Sequence, residues 1–399
     1  MNKATIDDID VHGKRVLLRE DLNVPMRDGA IVDDRRIRAA IPTIEALRAR
    51  GARVIVVAHL GRPKGRIDDK LRLGPVATHL STLIGADVRL ASDVVGDGAR
   101  SMVASLRDGD VGMLENIRFE PGEESNDPAF AQQLAAFADV YVNDAFGTAH
   151  RAHASTEGVA HLLPAVAGKL MARELEMLGG VMDNPRAPVV AIVGGSKIST
   201  KVGVLDHLLD RVDILWVGGA MACTFYRALG MATGTSLVEE DQVATARTLL
   251  DAAAGRRADI RLPTDAVIAE RVDDADAPTR VVANTGIPDG WAVVDAGPDT
   301  VARIASDCGG AGTIIWNGPL GIYEIPSFAV GTRDVARAVA ASSATSVIGG
   351  GDLAAAVQDA GVAEQISFIS TGGGATIEFL EGRTLPGVAA LRDREGARR

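Results

Sequence analysis

Cysteine is scarce in this chain of 399 residues: Cys223 and Cys308 are the only two, with no C-x-x-C spacing. A disulfide framework is therefore not expected, and both thiols read as buried and inert. No apolar run approaches the roughly 20 residues that span a bilayer. The first residues, MNKATIDDID, carry acids and no apolar stretch of the kind a secretory signal needs, so a cytoplasmic protein is expected. Positive charge is also in deficit. A net charge of −11 argues against broad binding to nucleic acid or to an anionic membrane. No repeat recurs at solenoid periods, and no G-x-x-x-x-G-K-[ST] occurs, which excludes a P-loop.

What is present is ordinary globular composition, 47% hydrophobic and 24% charged, in a chain long enough for two cores. One grammar recurs. A short β-branched run ends in glycine or a polar residue, and a helical pattern follows. Arg15–Arg19, Arg53–Ala58 and Val140–Asn143 read as strands in the first half. Val189–Val193, Ile214–Val217, Thr313–Trp316, Thr345–Ile348 and Ile366–Ile369 follow in the second. Runs that are apolar throughout are buried on both faces, the mark of a parallel sheet between helices. Ile37, Ile41, Ile44 and Leu47 fall at helical spacing between Asp33 and Arg50, with Pro42 expected to kink or restart that helix. The domain break is placed near residues 165–190, where a helical pattern from Leu170 to Leu178 meets Gly179-Gly180 and Asp183-Asn-Pro185 and suggests a hinge. The tail from Leu391 is polar and expected to fray at its end.

The loops after the strands differ between the halves. In the first they carry Arg36, His59, Arg62, Arg118 and Arg151. Ligands of parallel sheets bind beyond the carboxyl ends of the strands, and guanidinium groups suit phosphate, so these five suggest one anionic ligand. His150 and His153 are either metal ligands or polar packing. In the second half the loops are glycine-rich: Gly194–Lys201, Gly218–Ala220, Trp316–Pro319, Gly349–Asp352 and Thr371–Gly374. Glycine lets backbone N–H groups approach phosphate oxygens. Lys197 and Lys201 are spaced so that both ammonium groups can reach the same phosphates. An acid in such a loop repels phosphate unless a cation intervenes, so Asp352 reads as a Mg²⁺-side residue, or else as a helix N-cap. Gly349-Gly-Gly-Asp-Leu-Ala354 also fits G-x-G-x-x-A, the mark of a nicotinamide-dependent dehydrogenase, but no acid ends a strand about 20 residues on.

Seven segments together resemble phosphoglycerate kinases, in order: Arg19–Pro25, His59–Pro63, Leu114–Phe119, Asn143–Thr156, Trp316–Pro319, Gly349–Asp352 and Ser370–Ala375. The resemblance runs from about residue 5 to about residue 391. It implies an α/β fold of two Rossmann-like parallel-sheet domains joined by a helical hinge. The expected boundaries are 1–170 for a phosphoglycerate-binding domain, 171–185 for the hinge, 186–380 for a nucleotide-binding domain and 381–399 for a segment packing back on the first. It implies reversible phosphoryl transfer between 1,3-bisphosphoglycerate and ADP, with Mg²⁺, in a cytoplasmic monomer acting on small molecules. Asp21, Leu22, Asn23, Arg36, His59, Leu60, Gly61, Arg62, Arg118 and Arg151 then hold the phosphoglycerate. Lys201, Asn317, Glu324, Gly350, Gly351, Asp352 and Leu353 match nucleotide positions, with Asp352 toward the metal. Arg36, Lys197, Gly351 and Gly373 match groups that meet the transferred phosphoryl. The chain departs from the pattern at Glu20, where an apolar residue is usual, and at Ser196, Thr200, Ala220 and Leu353. Leu353 leaves only a backbone N–H toward phosphate.

Overall fold

Two sheets of six parallel strands organise the chain. The computed structural model describes residues 2–394. The first sheet runs Val88–Leu90, Val111–Met113, Arg53–Val57, Arg15–Arg19, Val140–Asn143, Ala165–Ala167. The second runs Asp259–Arg261, Ile214–Val217, Val189–Val193, Thr313–Asn317, Thr345–Gly349, Phe368–Ile369. In each, the chain starts in the middle and winds outward in both directions, which is the doubly wound arrangement. Val189–Val193 is buried at every position, as a strand covered by helices on both faces must be. Burying each such side chain contributes about 1.5–3 kcal/mol.

The chain divides into two compact units, one made of residues up to Glu176 together with those from Thr384 onward, the other of Met177–Arg383. The first crossing lies inside the helix Lys169–Asp183. The sequence places the end of that helix at Gly179-Gly180; the helix instead continues through both glycines. Leu175, Leu178, Val181 and Met182 are buried at helical spacing, and their burial outweighs the roughly 1 kcal/mol that each glycine costs. Pro42 likewise sits within one unbroken helix, Arg35–Ala49. Buried Ile37, Ile44 and Leu47 hold both halves of it against the first core.

The last described stretch belongs to the first unit. The Ala4 N–H donates to Arg392 O at 2.9 Å, Arg392 N–H to Ala165 O at 3.0 Å, and Gly387 N–H to Ala149 O at 2.8 Å. Lys3 pairs with Asp393 at 2.9 Å. The frayed end expected of the tail falls on residues 395–399, outside the described residues. Inserted in the second unit is a three-stranded antiparallel sheet, Thr279–Ala283, Asp265–Ala269 and Ala292–Ala296, which the sequence reading does not contain. Both cysteines are free and buried, and burial pushes the Cys223 thiol up to about 11 and the Cys308 thiol to about 12.

Candidate functional site

In the first unit the strand-end loops bring most of the anticipated cationic residues together. Arg36 Nη1 donates to both carboxylate oxygens of Asp21 at 2.8 Å. Gly61 N–H donates to Asn23 Oδ1 at 2.8 Å, and Arg118 Nη1 to Gly61 O at 2.7 Å. Leu22 and Leu60 are buried and anchor these loops from beneath. His59 is 4% exposed. Burial, reinforced by the positive charges of Arg19, Arg118, Arg36 and Arg151, holds its imidazole well below the usual range. It is neutral, and its Nδ1 accepts from Arg19 Nη2 at 3.2 Å. Four guanidinium groups therefore act on one imidazole. Arg62 is an exposed member of the same loop. Arg62 and Arg151 have no carboxylate partner among the described residues, the condition in which a guanidinium is available to an anion.

Two buried residues complete this cluster without having been read as site residues. Arg19 donates through Nε to Ser155 Oγ at 2.9 Å and also bonds the Glu20 carbonyl oxygen. Asn116 clamps the His59–Arg62 loop, donating to Leu60 O at 2.8 Å and Leu71 O at 2.9 Å and accepting from Leu60 N–H at 3.2 Å. His150 accepts from Arg151 Nε at 3.2 Å. His153 lies 3.7 Å from buried Glu123, and burial lowers it to about 4. Polar packing is what the two histidines do here.

In the second unit the glycine loops meet where the strand order reverses, between Val189–Val193 and Thr313–Asn317. A Cβ on Gly194 would lie 2.2 Å from Pro319 O, and one on Gly318 only 2.4 Å from Gly194 O. No larger residue lets these loops approach. Asn317 is 1% exposed and donates from Nδ2 to Gly349 O at 2.9 Å, while its Oδ1 accepts from Lys201. Burial lowers the Lys201 ammonium to about 8, opposed by the charges of Glu381 and Asp352. Lys197 is exposed and extended, and a short turn, Ile198–Thr200, separates it from Lys201. The two lysines thus do not share one helix face, although both remain on this loop.

A cavity of about 480 Å³ lies over these loops, lined by Gly195, Gly219 and Ala220, by apolar Val293, Leu320 and Ile322, and by Tyr323, Glu324 and Asp352. Its size and mixed lining suit a small organic ligand with one charged end. Asp352 opens the helix Gly351–Asp359, whose N-cap is Gly350 at φ 104°, so Asp352 does not serve as the cap. Its carboxylate makes no ion pair among the described residues and lies 3.4 Å from the Tyr323 hydroxyl. Leu353 is fully buried, turned into the core behind the loop. Gly373 precedes the helix Gly374–Leu380 at φ 52°. Part of the apolar wall, Ala292, Val293 and Val294, comes from the inserted sheet, which no motif announced.

The family model for phosphoglycerate kinase matches residues 6–383. The chain is 54% identical over 394 residues to the phosphoglycerate kinase of Moorella thermoacetica, covering 99% of this chain and 100% of that protein. It is 53% identical to that of Pelotomaculum thermopropionicum, with the same coverage. Among solved structures it matches phosphoglycerate kinase from Coxiella burnetii at TM-score 0.88 and 41% identity, covering 97% of this chain and 98% of that one. The Pyrococcus horikoshii OT3 structure matches at TM-score 0.86 and 33% identity, with equal coverage. The chain therefore belongs to the phosphoglycerate kinase family, a family of glycolytic kinases whose co-substrates are ATP and ADP.

Proposed function

We propose that this enzyme moves a phosphoryl group directly and in line between 1,3-bisphosphoglycerate held on the first unit and ADP held on the second. The observation that carries the proposal is the pairing of a cationic loop cluster in one unit with a glycine-floored cavity in the other. Phosphoryl transfer asks for positioning and charge stabilisation more than for covalent chemistry. The attacking oxygen, on ADP or on the 3-phosphoglycerate carboxylate, is already ionised, so no general base is assigned. Arg36 and Lys197 neutralise the equatorial oxygens as charge develops. Backbone N–H groups at Gly351 and Gly373 add donors. Asp21, Asn23, His59, Arg62, Arg118 and Arg151 orient the phosphoglycerate, while Lys201, Asn317 and Glu324 orient the nucleotide. The substrates sit on different units, so a closing movement about the helix Lys169–Asp183 aligns them and excludes water.

Asp352 suits Mg²⁺, because an exposed carboxylate without a cationic partner among the described residues, at the edge of the glycine-floored cavity, matches that ion's preference for one or two carboxylates plus phosphate oxygens. When bound, the ion would neutralise phosphate charge. The same reading has the protein act as a cytoplasmic monomer, the second of which sedimentation of the purified protein checks. The test of function is a coupled assay with ATP and 3-phosphoglycerate. Turnover should require both substrates, vanish with EDTA and return with Mg²⁺; metal-independent turnover would remove the role given to Asp352.

A further inference from the structure

Glu20 is a carboxyl group with 0% exposure, at the position where this chain departs from the usual apolar residue. Neither Glu20 Oε1 nor Oε2 receives a hydrogen bond from a donor among the described residues, and Asp144 Oδ2 is in the same condition. The three orphaned oxygens are neighbours by construction. Arg19 and Asn143 are register partners on adjacent parallel strands. Glu20 and Asp144, the next residues, therefore project on the same side of the sheet, and their carboxyls are within hydrogen-bonding reach. Two acceptors cannot bond each other unless one carries a proton.

The surroundings decide which one does. Helix Lys169–Asp183 begins after Gly168, which has no side chain to cap it. Its first donors are met from elsewhere: Lys169 N–H by Thr43 Oγ1 at 2.9 Å, Met171 N–H by Asp144 Oδ1 at 2.9 Å, and Leu170 N–H by the same carboxylate. A helix N-terminus favours an anion, so Asp144 is the ionised member and Glu20 the protonated one.

We propose that Glu20 is a neutral carboxylic acid that donates its proton to Asp144 Oδ2, and that this bond is a positioning contact tying the substrate loop Asp21–Asn23 to the start of the helix Lys169–Asp183. The positioning role rests on the reading that this loop holds phosphoglycerate. Burial is the largest influence on Glu20 and raises it well above the glutamate range; the Asp144 and Asp21 charges act in the same direction and Arg19 against it. Burial raises Asp144 to about 6, opposed by Thr43, by the amides of Met171 and Leu170, and by Glu20 itself. Thr43 and the helix amides bring no further titrating group.

The experiment compares wild type with Glu20→Gln, which keeps a donor and cannot titrate, and with Glu20→Leu, which keeps the bulk and loses the donor. The infrared difference between wild type and Glu20→Gln at neutral pH should contain the carbonyl stretch of a protonated carboxylic acid; a difference containing only ionised carboxylate bands overturns the proposal. A folded-state value above the unfolded one means that the folded protein binds the extra proton between the two. Wild-type stability should thus fall relative to Glu20→Gln as pH rises above the ordinary glutamate range, and parallel melting curves across pH would contradict a buried proton. Glu20→Leu should raise the phosphoglycerate KM about threefold to tenfold, the net effect of one lost hydrogen bond, with the ATP KM and kcat little changed and Glu20→Gln near wild type. An unchanged phosphoglycerate KM in Glu20→Leu refutes the positioning role. A shift in the ATP KM alone refutes the assignment of phosphoglycerate to this loop, while the infrared band still judges the proton separately.

Discussion

Replacing Asn116 by alanine should loosen the His59–Arg62 loop by an amount that can be worked from its contacts. The Asn116 side chain is 0% exposed and makes two short bonds, to Leu60 O at 2.8 Å and Leu71 O at 2.9 Å. It makes two long ones, from Leu60 N–H and Arg118 N–H, both at 3.2 Å. Counting about 1 kcal/mol for each short bond and about half that for each long one, the loss is about 3 kcal/mol. The alanine leaves Leu60 O, Leu71 O and the Leu60 and Arg118 N–H groups without their side-chain partner. At about 1.4 kcal/mol per factor of ten, local opening should become roughly a hundredfold more frequent. Hydrogen exchange with mass spectrometry reads this directly in a peptide covering residues 59–62, without requiring the two units to unfold together. The phosphoglycerate KM should rise while the ATP KM stays. Exchange within about threefold of wild type, together with an unchanged phosphoglycerate KM, would show that the clamp is redundant.

Lys201 loses its charge near pH 8 in the free protein, so the ATP KM should be flat below that value and climb above it; a profile that stays level through the titration removes Lys201 from phosphate binding. Gly318→Ala places a methyl group 2.4 Å from Gly194 O at φ 87°, which should lower Tm, raise the ATP KM and spare the phosphoglycerate KM, and normal nucleotide kinetics would mean the loops can part at little cost. All three tryptophans, Trp216, Trp291 and Trp316, lie in the second unit, so intrinsic fluorescence should report the damage from Gly318→Ala more strongly than that from Asn116→Ala. Lys197→Ala should cut kcat by about 10²–10³, as expected on losing one transition-state donor; unchanged turnover would exclude it from the chemistry.

The long strands were legible because Val189–Val193 or Arg53–Val57 cannot be anything but buried, and hydrophobic continuity is written in the sequence. The three-residue strands were not: Val111-Gly-Met113 and Ala165-Val-Ala167 are too short to show a period. Thr279–Ala283 is mostly exposed, so Val281, Val282 and Ala283 do not mark it as a buried strand. Gly179-Gly180 misled because local propensity is weak beside the burial of four large side chains. In the site, exposed or half-buried cations such as Arg36 and Arg151 could be read from motif and charge. Arg19 and Asn116 could not, since burial and hydrogen-bond partners far along the chain are properties of the fold. Glu20 stood out only as an oddity, and its partner at Asp144 comes from strand register.

Because Thr384 and the residues after it complete the first unit, the second is threaded into it as one continuous insertion. On the ribosome, the stretch that pairs with Ala4 and Ala165 is synthesised after Met177–Arg383. Every residue of Met177–Arg383 is thus joined to the chain before its older neighbour has all its parts. A released chain ending at Arg383 should therefore carry a finished second unit beside a first unit still vulnerable to proteases.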